Sequence, residues 1–116
     1  MKTEMTKANG TMVVAPCELT ELVRGHDREL VEQMTPLVRQ QSVALDLGAV
    51  NRIDAAGIAA LISLYGFARD AGHCFAVANP TAHVKEILSL VGLDRILLPQ
   101  NAFDRLEEAC LAQSAA

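Results

Sequence analysis

The segment Val43–Gly57, VALDLGAVNRIDAAG, constrains this chain more than any other. Its opening run, Val43 to Leu47, places apolar side chains on both faces of an extended backbone before Asp46 interrupts them, which is the pattern of an interior strand. From Ala55 the spacing changes. Ile58, Leu61, Ile62, Tyr65 and Ala68 recur at three- and four-residue intervals and mark one face of a helix. Asp54 stands where a carboxylate can cap that helix, and Gly72, after Ala71, is a natural stop. A strand that feeds a helix through a short loop is a common place for reactive or anion-binding groups, because the N–H groups of a helix start point outward. Here the positions after Asp54 are Ala55, Ala56 and Gly57, which carry no hydroxyl, thiol or imidazole. That local chemistry points away from an enzyme and toward a surface read by other proteins.

The same alternation runs along the rest of the chain. Thr11–Pro16 reads as a short strand, and Cys17–Gly25 as either a second strand or a turn-rich approach to a helix. His26–Gln41 has Leu30, Met34, Leu37 and Val38 on a helical period, with Pro36 expected to kink or divide it. His73–Ala78 is a strand, Asn79-Pro80 a turn, and Thr81 a cap for a helix whose apolar face is Val84, Ile87, Leu88 and Val91, ended at Gly92. Arg95–Leu98 reads as a short strand or extended segment. A last helix begins at Pro99 or Asn101 and turns Phe103, Leu106, Ala109 and Cys110 toward the core. Such an order predicts an α/β domain with a small mixed, mainly parallel sheet and helices packed against it, all on one side if the short chain cannot cover both faces. Residues 1–10 read as a flexible tail, 11–113 as the domain and 114–116 as a C-terminal tail.

With 116 residues, 51% of them hydrophobic and 21% charged, the chain suits one folded domain with its own core. The formal charge of −4 comes with no basic groove and no stacking aromatics, which excludes a nucleic-acid binder of the usual kind. No apolar run approaches the length of a membrane span, and the N-terminus lacks the apolar segment of a secretory signal, so neither direct membrane insertion nor export is expected. Cys17, Cys74 and Cys110, an odd number without ligand spacing, read as free thiols in a reducing cytoplasm.

The chemistry-bearing residues are few. Gly48, Gly57 and Gly66 form no phosphate-binding motif, and His26, His73 and His83 form no close ligand cluster, so no cofactor and no metal are expected. His73 and Cys74 are adjacent on a strand and face opposite sides, which is poor geometry for a nucleophile pair. Asp46 and Asp54 both lie near the carboxyl edge of the central strand, where α/β proteins place their sites. As a carboxylate pair they could do acid–base work. The plainer reading makes Asp54 a helix cap and Asp46 an acceptor of hydrogen bonds in its loop. Asn51 and Arg52 read as exposed loop residues suited to polar contact with a partner.

The stretches VALDLGAVNRIDAAG, IAALISLYGFARDAG and VKEILSLVGLDRIL, in that order, resemble the sulfate-transporter and anti-sigma-factor-antagonist domain, the STAS family, over about residues 13–111. The first resembles the family's strand followed by an Asp-x-Ser-Gly loop, the last its Gly-Leu-Asp turn, and Cys17-Glu18-Leu19-Thr20 resembles an early Gly-Glu-Leu-Asp segment. The resemblance implies a STAS-like fold and a bacterial, cytoplasmic role in transcription signalling by partner switching, in which an antagonist binds a kinase-like anti-sigma factor and is released when the kinase phosphorylates a serine. Ala56 occupies that serine position, and alanine cannot accept a phosphoryl group.

Two roles follow from the resemblance. One is a binding-competent antagonist insensitive to phosphorylation. The other is an accessory subunit beside a transport ATPase or permease, as in lipid-transport complexes, or in another signalling assembly; a homodimer is compatible with either. The expected docking surface is Asn51, Arg52, Asp54, Ala55, Ala56, Gly57 and Ile58. A rival reading holds that Ala55, Ala56 and Gly57 are small only to bring the helix start close to the sheet. Ser63 and Ser89 lack the local setting of the family's serine.

Overall fold

In a computed structural model, residues 3–8, 11–16 and 18–98 are described. The strands are β1 (Thr3–Ala8), β2 (Thr11–Pro16), β3 (Glu21–Leu22), β4 (Val43–Asp46), β5 (Arg52–Ile53) and β6 (Phe75–Ala78). The helices are α1 (Asp27–Gln40), α2 (Ala55–Asp70), α3 (Ala82–Leu90) and a single turn, α4 (Asp94–Leu97). The main sheet has the order β1-β2-β4-β6, and β3 pairs with β5 in a second, two-stranded ribbon. β2, β4 and β6 run parallel, with Met12, Val43 and Phe75 in one row, while β1 is antiparallel to β2. The small mixed, mainly parallel α/β sheet follows from the sequence pattern, and β4 lies between β2 and β6 as its two-faced apolar run requires.

The core forms where the sheet meets the helices. Val14, Val43, Leu45, Phe75 and Val77 pack with Leu30, Met34 and Val38 of α1, Leu61, Leu64 and Ala68 of α2, Val84 and Leu88 of α3, and Leu97 of α4. Leu30, Met34 and Val38 recur every fourth residue, which places them on one face of α1.

Several expectations are corrected. Thr3–Ala8, within the expected flexible tail, is a strand that pairs with β2 along its whole length. The signal for it was weak because β1 is an edge strand with Glu4 to Lys7 exposed, so no apolar alternation betrays it. Pro36 does not divide α1. It is exposed within one continuous helix, and its neighbour Thr35 donates its hydroxyl to the Val31 carbonyl at 2.6 Å. Arg95–Leu98 is largely the turn α4 rather than a strand. On α2 the buried stripe is Gly57, Ala60, Leu61, Leu64 and Ala68, which leaves Ile62 about half exposed. On α3 the buried residues are Val84 and Leu88, and Val91, beyond the helix, is exposed. Cys74 is buried as expected but is disulfide-bonded, which corrects the reading of three free thiols. Cys17, Cys110 and the last expected helix lie outside the described residues.

Candidate functional site

Asp54 organises the loop between β4 and α2. Its backbone is extended, so its side chain can fold back over the first turn of the helix. One carboxylate oxygen, Oδ1, accepts the Gly57 N–H at 3.1 Å, and the other, Oδ2, accepts the Arg24 N–H at 3.1 Å. The first is the cap read from the sequence. The second joins the helix start to the turn after β3, thirty residues earlier. The Arg24 N–H, followed by that of Gly57, holds the Asp54 carboxyl below the usual carboxylate range against a smaller opposing effect of dehydration. The anion that the α2 start is built to hold is thus the protein's own side chain.

The ribbon of β3 and β5 holds this loop in place. Glu21 and Leu22 pair with Arg52 and Ile53. The Asn51 N–H donates to the Thr20 carbonyl at 2.7 Å, and the Asp54 N–H donates to the Leu22 carbonyl at 3.3 Å. Gly57 is buried directly against that same Leu22 carbonyl, which occupies the place a Cβ would take. Leu22 and Ile53 are both buried, so the ribbon is anchored from beneath while Arg52 faces solvent. Arg52 lies on β5 rather than in a loop, 4.0 Å from the Glu21 carboxylate, with 72% of its side chain exposed.

The seven expected docking residues, which fall within Asn51–Ile58 and skip the buried Ile53, therefore do not form one continuous surface. Asn51, Arg52, Asp54 and Ala55 are exposed, Ala56 and Ile58 are half-buried, and Gly57 is inside. The small-residue requirement comes from close packing at Gly57, whereas Ala55 faces outward and Ala56 stands at the rim. Ser63 and Ser89 are exposed, on α2 and α3. Ser63 lies seven residues along α2 from Ala56, roughly 10 Å up the axis.

Asp46 belongs to a separate cluster. Its Oδ1 accepts the Gly48 N–H at 2.8 Å and the Asn79 side-chain amide at 3.5 Å, tying the ends of β4 and β6 together. Asn79 has φ of 49°, in the left-handed region that asparagine tolerates better than most residues. Asp46 and Asp54 thus each serve loop backbone and do not converge as a pair. The Thr81 hydroxyl donates to the Val50 carbonyl at 2.8 Å and accepts the Val84 N–H at 3.4 Å, so one side chain caps α3 and steadies the loop before β5. Thr81 was legible as a cap, but its hold on Val50 and the part played by Arg24 were not. A backbone N–H has no sequence signature. Among the described residues no three His, Cys, Asp or Glu side chains converge as metal ligands. His73 places Nδ1 2.9 Å from the Val38 carbonyl and His26 places its own 2.9 Å from the Glu21 carbonyl.

Comparison with known proteins gives a consistent picture. The family model described as "Mlab, STAS domain" matches residues 19–99. No curated protein matches the chain. A Thermotoga maritima protein provisionally described as an anti-sigma factor antagonist has a crystal structure that superposes with a TM-score of 0.75 at 19% identity, over 90% of this chain and 94% of that one. An anti-sigma-factor antagonist (STAS) domain protein from Planctomyces limnophilus gives 0.70 at 16% identity, over 97% of both chains. The anti-sigma factor antagonist SpoIIAA in its unphosphorylated form gives 0.69 at 13%, over 92% of this chain and 97% of that one. At these identities the superpositions speak for the fold.

Proposed function

The chain belongs to the STAS-domain family, and from that premise we propose that it is a regulator that docks on a kinase-like anti-sigma factor through the start of α2 and stays docked. The family's fold is a non-catalytic regulatory module, and its members act by binding other proteins. The observation that carries the finer reading is Ala56. It stands at the rim of a helix start whose geometry is held by Asp54, Arg24 and Leu22, and it has no hydroxyl for a kinase to modify. Phosphorylation of a docking surface acts by adding charge and hydration that the interface cannot accommodate. Without an acceptor the complex has no such release step. Among the described residues no helix is long and apolar enough to cross a membrane. The partner reading sets the protein in the cytoplasm, and it needs neither a cofactor nor nucleic acid.

A second reading is favoured by the family model itself, whose description is "Mlab, STAS domain" rather than antagonist. In it the same surface seats an accessory subunit on the ATPase or permease of a lipid-transport complex, where no phosphorylation switch is required. Affinity capture of the full chain from its own cells, followed by mass spectrometry, tests the pair. Recovery of a kinase-like anti-sigma factor, undiminished by ATP, supports the first reading. Recovery of an ATPase with a permease overturns it in favour of the second.

A further inference from the structure

The main sheet has two edges, and they are finished differently. At one, Phe75–Ala78 of β6 are buried throughout. At the other, Glu4, Met5, Thr6 and Lys7 of β1 are exposed. A sheet edge carries a row of unpaired N–H and C=O groups, and proteins that stay single guard it with proline, a bulge, a very short strand or charged side chains. β1 has six residues and no proline, and its register with β2 runs from Thr3 to Ala8 without a bulge. Its charged residues, Glu4 and Lys7, stand toward its two ends, and between them Met5 is 53% exposed.

The hydrogen-bond pattern says which backbone groups of β1 face outward. In a strand the N–H and C=O of one residue point to the same side, and that side alternates from residue to residue. The Met12 N–H donates to the Ser42 carbonyl at 2.9 Å, so Met12 bonds toward β4. Thr11, Val13 and Ala15 therefore bond toward β1, where they stand opposite Ala8, Thr6 and Glu4. The backbone left open at the edge is that of Thr3, Met5 and Lys7.

These three positions are spaced evenly about Met5, and that symmetry selects the occupant: a second copy of the same strand. A two-fold axis normal to the sheet sets residues of one face opposite residues of the same face, so Thr3, Met5 and Lys7 meet only one another. With the axis at Met5, the two Met5 residues exchange backbone bonds, and Thr3 and Lys7 exchange them in both directions. A shift by two residues carries one of the three beyond the strand. In the register centred on Met5, Glu4 stands opposite Thr6 and Lys7 opposite Thr3, so no like charges face each other. The two exposed Met5 side chains come together across the seam. Each already lines a groove with Val14, Pro16, Leu30 and Met34, which gives the pair an apolar seat.

We propose that the β1 edge is a self-association surface, at which two copies of the chain pair Thr3–Lys7 antiparallel about Met5 and join their four-stranded sheets into one continuous sheet. The pairing uses no residue of the α2 start.

Sedimentation velocity of the full chain from low to high micromolar concentration, with amide hydrogen exchange followed by nuclear magnetic resonance over the same range, tests this. The mass should rise toward that of two chains. Exchange of the Met5 and Lys7 amides should slow at least tenfold as it does, while those of Glu4 and Thr6, already bonded to β2, change little. Met5→Lys sets like charges opposite each other, and Met5→Pro removes an outward N–H while sparing every bond to β2. Both variants should keep the far-ultraviolet circular dichroism of the unaltered chain and remain single at the highest concentration. A chain that stays single throughout, a dimer whose Met5 and Lys7 amides exchange as fast as in the single chain, or Met5 variants that associate like the unaltered chain would overturn the proposal. Slowing of those amides only on addition of a different protein would assign the edge to that protein and overturn it equally.

Discussion

The carbonyl oxygen of Leu22 fills the position that a side chain on Gly57 would need, although the two residues are thirty-five apart in sequence and belong to different elements. That carbonyl also accepts the Asp54 N–H. A single backbone oxygen of β3 thus receives the loop and sets how closely α2 may approach the ribbon. Replacing Gly57 with alanine forces backbone apart from backbone, which no rotamer change relieves. Gly57→Ala should destabilise the fold by about 3 kcal/mol, at the upper end of ordinary overpacking, measured as a lower midpoint in urea with an unchanged slope.

Asp54 has its carboxyl lowered by the N–H groups of Arg24 and Gly57, so its contribution to stability has a definite pH dependence. The ionised form is favoured by folding. The contribution is therefore complete above the unfolded carboxylate value, near 4, and is lost as pH falls through the lowered folded value. Asp54→Ala should melt several degrees below the unaltered chain at pH 7, and the gap should hold to about pH 5 and then narrow below pH 4. A gap that persists undiminished at pH 2.5 would show that the carboxylate charge is not what matters.

Ala56 is half-buried at the rim of the α2 start, and an acidic side chain there is compatible with the helix dipole. Ala56→Asp should keep the far-ultraviolet circular dichroism of the unaltered chain while weakening capture of the docking partner at least tenfold, about 1.4 kcal/mol, by calorimetry. Ala56→Ser should restore a phosphate acceptor, read as ATP-dependent incorporation of phosphate when a kinase-like partner is present. Unchanged affinity of Ala56→Asp would remove the α2 start from the interface.

Arg52 and Glu21 form an exposed pair at 4.0 Å, a separation and setting in which an ion pair contributes little. Arg52→Ala should change stability by less than about 0.5 kcal/mol in urea denaturation. Any loss of partner affinity in that variant then reports contact with the partner rather than damage to the fold.

Thr81 serves two elements through one hydroxyl, capping α3 and donating to the Val50 carbonyl. Thr81→Ala removes both and should cost about 1–2 kcal/mol. Thr81→Ser, which keeps the hydroxyl, should recover most of it. Equal losses in the two variants would assign the effect to the methyl group instead.

The amino-acid sequence by itself determined the parts of this protein that rest on local physics. The two-faced apolar run of β4, the Asp54 and Thr81 caps and the stop at Gly72, where φ is 78°, each depend on a few neighbouring residues and were legible from them. So was the absence of a hydroxyl at Ala56, on which the proposed function rests. Tertiary structure decided the rest, because it depends on which distant groups meet. Nothing near Asp54 in sequence announces that the Arg24 N–H will take its second oxygen, and nothing near Gly57 announces the Leu22 carbonyl. The exposed edge of β1 carries no alternation to read. Ile62 and Val91 satisfy an apolar count on their helical segments yet face outward, because the orientation of each segment against the sheet is set by its whole stripe, not by any one residue. Cysteine pairing is of the same kind. Composition counts the thiols, but only the tertiary structure shows that Cys74 is disulfide-bonded.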